Sequence, residues 1–312
     1  MVDRTGGGPE VDALIVTLQR VPELAGRRLT LAPLPGGITN RNVCVSVEGS
    51  EDRWVVRLPG ADTHLLGIDR DVELAASIMA DGIGVGPGVA ACIRPEGYLV
   101  TRFIVGRPVT TEDVHRPVML RRLGDTLRAI HDGPAIPGRF MPFRIAETYR
   151  TLARDRGVTI PSDYDRAADV ARRIERALAS DPVDLRPCHN DLLNSNLIDD
   201  GSRIRVIDWE YAGMGDPYFD LGNVSVNHDL TPEEDAILLA AHDGTVRPRR
   251  LARLTLMRVV SDFREAMWAV LQGGVSVLDT DFAGYAAGNF ERLLRNAAAP
   301  EFEAALDEVG RS

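Results

Sequence analysis

Between Cys188 and Asp220 the chain reads CHNDLLNSNLIDDGSRIRVIDWEYAGMGDPYFD, and no other stretch narrows the possible folds so far. Asp191 is followed five residues later by Asn196, and Asp208 comes twelve residues after that. A hairpin-like segment separates the last two, and Arg205-Val206-Ile207 reads as a strand that delivers Asp208 to a cleft. A loop of the form Asp-x-x-x-x-Asn, then a strand ending in Asp, can hold a base and metal ligands around a nucleotide. Asp191 is placed to take the proton of an attacking alcohol. Asn196 and Asp208 supply the oxygen ligands that magnesium prefers. His189, two residues before the base, completes the catalytic pair by holding the loop through hydrogen bonds.

The residues upstream read as a small sheet. Leu29 to Leu34 and Asn42 to Val47 are strands, the second with Val43, Val45 and Val47 alternating. Arg53 to Leu58 is a third, with Trp54, Val56 and Leu58 on one face. The turn between the first two contains Gly36, Gly37, Thr39 and Asn40, and glycines there let backbone amides approach a phosphate. An ordinary hairpin turn has the same composition. Ile68 to Met79 has helical spacing, and Glu73 on it pairs by order and spacing with Arg57 as a phosphate clamp. Val89 to Arg94 and Tyr98 to Phe103 form a hairpin. Ile104 to Pro108 then connects to the remainder, with adenine-binding backbone groups near Arg102 and Ile104.

From there the chain turns helical. Leu120, Leu123, Leu127 and Ile130 mark a core-facing helix that stops near His131, which reads as a packed helix-end residue. Further helices are expected at about 145–154, 163–179, 249–272 and 281–296, with one opening at Thr231-Pro232-Glu233-Glu234 through a capping box and first-turn proline. The expected division is a tail at 1–10, a nucleotide-binding lobe at 11–104, and a lobe carrying the catalytic loop and acceptor pocket at 105–312.

The 312 residues carry a formal net charge of -10, which argues against nucleic acid or an anionic membrane as partner. All 36 basic residues are arginine, so any phosphate-binding cation here is a guanidinium. Cys44, Cys92 and Cys188 show no metal-ligand spacing and fit a reducing compartment. No apolar run is long enough to span a bilayer, and MVDRTGGGPE lacks the apolar region of a signal peptide. A cytoplasmic monomer or homodimer is expected.

Together, CHNDLLNSNLI and IRVIDWEYAGMGDPYFDLGN resemble the choline/ethanolamine kinase branch of the aminoglycoside phosphotransferase superfamily. LPGGITN, VVRLPG and DFREAMWAVLQ extend the resemblance over about residues 29 to 295. It implies an α+β, bilobal, protein-kinase-like fold, with ATP and Mg2+ as cofactors and a small, often amine-bearing acceptor. Under it Asp191 is the base, Asn196 and Asp208 are the metal ligands, and Arg57 with Glu73 is the clamp. Asp220 would buttress the loop. The leading expectation is an amino-alcohol kinase; an aminoglycoside or amino-sugar phosphotransferase and a nucleotide-binding module without catalysis are the alternatives.

A protein kinase is disfavoured by the residues themselves. Glu210 stands where an Asp-Phe-Gly motif needs glycine, and only eleven residues separate Asp208 from Asp220, too few for an activation loop. Aromatic residues cluster between 209 and 290, interleaved with acids, as a cation-binding pocket requires. Glu210, Tyr211, Glu265 and Trp268 are the expected acceptor contacts. The choline kinase pattern has two tryptophans three apart on this helix, and here Glu265 replaces the first. A carboxylate there favours an ammonium or hydroxyls that can hydrogen-bond.

Overall fold

The structure is a computed structural model that describes residues 9–35, 39–60 and 63–311. Helix α1 (Pro9–Leu18) precedes three strands, β1 (Leu29–Leu34), β2 (Asn40–Val47) and β3 (Arg53–Pro59). Helix α2 (Arg70–Gly82) and the hairpin β4 (Val89–Ile93) and β5 (Tyr98–Arg102) follow. These strands form one antiparallel sheet in the order β1-β2-β3-β5-β4. Register pairs Asn42 with Arg57 and Val56 with Val100. The alternation read from the sequence thus puts Val45, Val47, Trp54, Val56 and Val100 into one apolar cluster with Leu18, Val21 and Leu24.

The rest is mostly helical. Short β6 (Arg107–Pro108) and α3 (Thr111–Val114) lead to α4 (Pro117–His131), α5 (Pro142–Asp155) and α6 (Tyr164–Ala179). Four three-residue strands then frame the central stretch: β7 (Arg186–Cys188), β8 (Leu197–Asp199), β9 (Ile204–Val206) and β10 (Gly213–Gly215). Helices α7 (Pro217–Asn227), α8 (Pro232–Asp243), α9 (Pro248–Val275), α10 (Phe282–Ala297) and α11 (Pro300–Gly310) complete the chain. No helix among the described residues is long and apolar enough to cross a membrane.

Start signals explain several boundaries. Pro142, Pro217, Pro232, Pro248 and Pro300 all occupy first-turn positions, where a missing N–H costs nothing. Helix α5, expected at about 145–154, begins at Pro142 for that reason. Thr231 and Glu234 form the expected reciprocal capping box of α8, and Gly244 ends that helix at φ +77°. Helix α11 lies beyond the last helix read from the sequence. It enters the core with Phe302, Ala305 and Val309.

Two facts of packing position the site. Ala76, Met79 and Ala80 of α2 join the large helical core rather than the cluster beneath the sheet. The face of α2 that carries Glu73 is thereby held against the second lobe. The 28-residue α9 runs through the helical part and packs against α5, α6, α7, α10 and α11. Its crossing with α7 is close at Gly222, where an added Cβ would lie 2.7 Å from the Met257 carbonyl carbon and 2.8 Å from the Arg258 nitrogen.

That contact generates a paired prediction. Gly222→Ala forces α7 away from the α9 backbone, and stability falls by about 2 kcal/mol in urea denaturation. Gly288 is a solvent-facing glycine of α10 with nothing near its absent Cβ, and Gly288→Ala raises stability by about 0.8 kcal/mol in the same assay.

Candidate active site

The loop after β7 is organised by one buried carboxylate. Asp220, in the first turn of α7, has no exposed surface. Its Oδ2 accepts the His189 N–H at 2.8 Å and its Oδ1 accepts the Asn190 N–H at 2.7 Å. The His131 Nε2 lies 3.0 Å from Oδ2. Burial alone would raise the Asp220 pKa, but the hydrogen bonds from His131 and the His189 amide hold it below the ordinary value. His131, expected only as a packed helix end, therefore also partners the loop's anchor. Its other nitrogen is 2.7 Å from His242 Nε2, and His242 Nδ1 is 2.6 Å from Asp243 Oδ1.

The loop itself is bent at Asn190, whose φ is +69°, a conformation asparagine tolerates better than most residues. Its Nδ2 donates to the Tyr211 carbonyl at 3.0 Å. His189 is fully buried with both ring nitrogens in use. Nδ1 accepts the Asp191 N–H at 3.2 Å, and Nε2 donates to the Ile207 carbonyl at 2.9 Å. This pattern sets one neutral tautomer, and burial lowers the imidazole pKa accordingly. The ring joins the Asp191 loop to the strand before Asp208 and contributes no free nitrogen. Its part in the expected catalytic pair narrows to positioning.

Asn196 turns its amide nitrogen toward Asp191, donating to the Asp191 carbonyl at 2.8 Å and to Oδ2 at 3.2 Å. No described residue donates to its Oδ1. Asp208 follows β9 at φ +67°, and no described residue donates to its carboxylate either. Burial, and then the charges of Glu210, Asp191 and Glu73, push the Asp208 pKa well up. Burial, followed by the Glu265 charge, raises Asp191 to about 7. Crowded carboxylates beside an open amide oxygen are the donor set of a hard divalent cation, so the residues present fit magnesium.

Opposite them lies a chain of alternating charges. Arg57 Nη2 donates to Glu73 Oε2 at 2.7 Å, and Arg70 Nη1 donates to the same oxygen at 2.8 Å. Arg70 Nη1 also reaches Glu210 Oε2 at 3.2 Å, and its Nη2 donates to Asn40 Oδ1 at 2.9 Å. Asn40 Nδ2 closes the circuit onto Glu210 Oε2 at 2.8 Å. Glu210, expected at the acceptor, is instead tied into this network, because its carboxylate meets Arg70 and Asn40 directly. The sequence reading missed Arg70, although Arg70 and Glu73 stand three apart on one helix, a spacing that pairs charges. Two nitrogens of Arg57, Nε and Nη1, are buried without a partner.

Gly36 and Gly37 lie outside the described residues. Thr39 is half-buried, and its carbonyl passes where a Cβ on Gly60 would be, so this crossing requires glycine at 60. The Arg102 amide is used within the sheet, donating to the Gly88 carbonyl at 2.7 Å. Its side chain turns outward over Trp54 and to Asp52. The Ile104 N–H and carbonyl have no partner among the described residues, which leaves Ile104 rather than Arg102 as the open hinge position.

The remaining expected contacts gather on α9. Trp268 Nε1 donates to the Tyr211 hydroxyl at 2.8 Å, and the Trp268 ring meets Phe282 and Tyr285 edge-on. Glu265 pairs with Arg264, and its Oε2 accepts the Tyr285 hydroxyl at 3.3 Å. Arg264 is 1 % exposed, with its Cζ 4.3 Å from the Tyr211 ring centroid. The charges of both Glu265 and Arg264 act on Asp191, which sets this buried cluster near it.

Residues 30–253 match the model of the phosphotransferase enzyme family. The crystal structure of a choline/ethanolamine kinase family protein from Mesorhizobium loti superposes with a TM-score of 0.83 at 32% identity, over 96% of this chain and 99% of that one. Human ethanolamine kinase 2 is 26% identical over 83% of this chain and 74% of its own length. Protein LicA of Haemophilus influenzae is 26% identical over 66% of this chain, which spans only 61% of that protein.

The Asp220 anchor can be tested by stability. Asp220→Ala strands three buried donors, and urea denaturation is expected to show a loss of about 3 kcal/mol or more. Asp125 makes only an exposed pair with Arg128, and Asp125→Ala changes stability by less than about 0.5 kcal/mol.

Proposed function

The chain belongs to the phosphotransferase enzyme family and, within it, to the choline/ethanolamine kinase family, and on that premise we propose that it transfers the terminal phosphoryl group of MgATP to the hydroxyl of an amino alcohol. The observation that carries this reading is complementarity across the cleft. Among the described residues, none donates to the Asp208 carboxylate or to the Asn196 Oδ1, and none accepts from Arg57 Nε and Nη1. A nucleotide triphosphate with its divalent cation satisfies both sides at once.

In this reading Asp191 accepts the hydroxyl proton as the acceptor oxygen bonds to phosphorus and the bond to the leaving diphosphate breaks. A carboxyl raised to about 7 by burial and Glu265 is basic enough to take that proton near neutral pH. His189 fixes the distance between Asp191 and the Asp208 strand. Asn196 and Asp208 would hold the cation, which would supply charge neutralisation to the phosphates. Arg57 grips the phosphates and is itself oriented by Glu73, which Arg70 shares. Ile104 offers backbone groups to adenine. Nucleotide binding is assigned to residues 11–104 and the acceptor to residues 105–312, where Tyr211, Glu265 and Trp268 line its pocket.

Transfer is read by ADP release from MgATP over choline, ethanolamine, amino sugars and aminoglycosides. Asp191→Asn is expected to lower kcat by about 100- to 10,000-fold while leaving ATP affinity unchanged. Equal ADP release by Asp191→Asn and the parent would sink the catalytic reading. Strong turnover confined to aminoglycosides would replace the amino-alcohol acceptor with an antibiotic. Arg57→Met is expected to raise the KM for ATP by about 10- to 100-fold with little effect on the KM of the acceptor.

A further inference from the structure

We propose that Arg264 and Glu265 make the acceptor pocket selective for an alcohol whose ammonium still carries an N–H, and that they turn away quaternary ammonium alcohols. The proposal rests on the amino-alcohol reading above and assigns that acceptor a chemical class. A quaternary ammonium has no hydrogen to donate, so a pocket holds it with open aromatic faces. Here the aromatic side is already occupied. The Arg264 guanidinium lies over the Tyr211 ring, with its Cζ 4.3 Å from the centroid, and 5.8 Å from the Phe140 centroid. A second cation brought to that ring would meet a fixed like charge. Trp268 spends its N–H on the Tyr211 hydroxyl and meets its aromatic neighbours by their edges.

Glu265 supplies what the aromatic side does not. Its Oε1 is taken by Arg264, which cancels much of the undirected charge attraction that a quaternary ammonium relies on. Among the described residues its Oε2 has only the long bond from the Tyr285 hydroxyl, which leaves that oxygen acceptor capacity. An N–H ammonium can use that position through a charge-assisted hydrogen bond. A trimethylammonium cannot, and its methyl groups hold it away from the oxygen. Asp191 lies within the field of the same carboxylate. On the amino-alcohol reading, one short molecule would place its ammonium at Glu265 and its hydroxyl at Asp191.

The test is a series that differs only in methylation: ethanolamine, N-methylethanolamine, N,N-dimethylethanolamine and choline, each assayed by ADP release with the unmodified protein. The three amines that keep an N–H are expected to turn over, and kcat/KM to fall at least about 100-fold on the last methylation. Choline within about threefold of N,N-dimethylethanolamine overturns the proposal while leaving the amino-alcohol reading intact. No turnover of any member overturns both. Glu265→Gln is expected to shrink the ethanolamine-to-choline ratio by about tenfold or more. A loss shared equally by both acceptors would make Glu265 merely structural and would also overturn it.

Discussion

A single carboxylate with no exposed surface sets the geometry of the site. Asp220 receives two consecutive backbone amides from a loop that has no regular ladder of its own, and an imidazole from the last residue of α4. Buried donors are costly to leave unpaired, so the chain from His189 to Asp191 has one low-energy path past α7. The positive φ of Asn190 is the local cost of that path, and it is offset by bonds that bend the loop toward the cleft. His189 then carries the constraint across to Ile207, so that Asp191 and Asp208 move as one piece.

The facing lobe is held by a different device. Glu73 and Glu210 come from opposite sides of the cleft, and Arg70 stands between them with Asn40 alongside. Each carboxylate is paired and hydrogen-bonded, which is the condition under which buried charges are tolerated. Arg57 is the member left incomplete. Its pairing with Glu73 fixes the fork, and its two remaining buried nitrogens find no acceptor among the described residues.

Much of this arrangement was legible in the residues. Strand alternation at Val43, Val45 and Val47 and the spacing of Asp191, Asn196 and Asp208 are local patterns, and local patterns survive folding. Glu210 was misplaced because its role depends on Arg70 and Asn40, which lie 140 and 170 positions away in the chain. Arg102 drew attention by its place at the strand end, but a sheet partner had already claimed its amide. Strand β9 was legible at Arg205-Val206-Ile207, whereas β7, β8 and β10 are too short for any period to show. The Arg264 stack on Tyr211 was equally hidden, since a buried arginine inside a helix reads like any exposed one until its neighbours are known.

The Arg57 fork has a consequence for how the molecule responds to its surroundings. Burial pulls its pKa down from the ordinary value, yet a guanidinium begins so far above neutrality that it stays charged wherever the fold survives. The grip on an anion is therefore constant across acidity, unlike that of a buried amine, which can shed its proton. On the proposed reading, acid would act instead on Asp191 and Asp208, whose protons would compete with a cation and with the incoming alcohol. Acidification would then leave the guanidinium charge in place while weakening cation binding at Asp208 and proton transfer at Asp191.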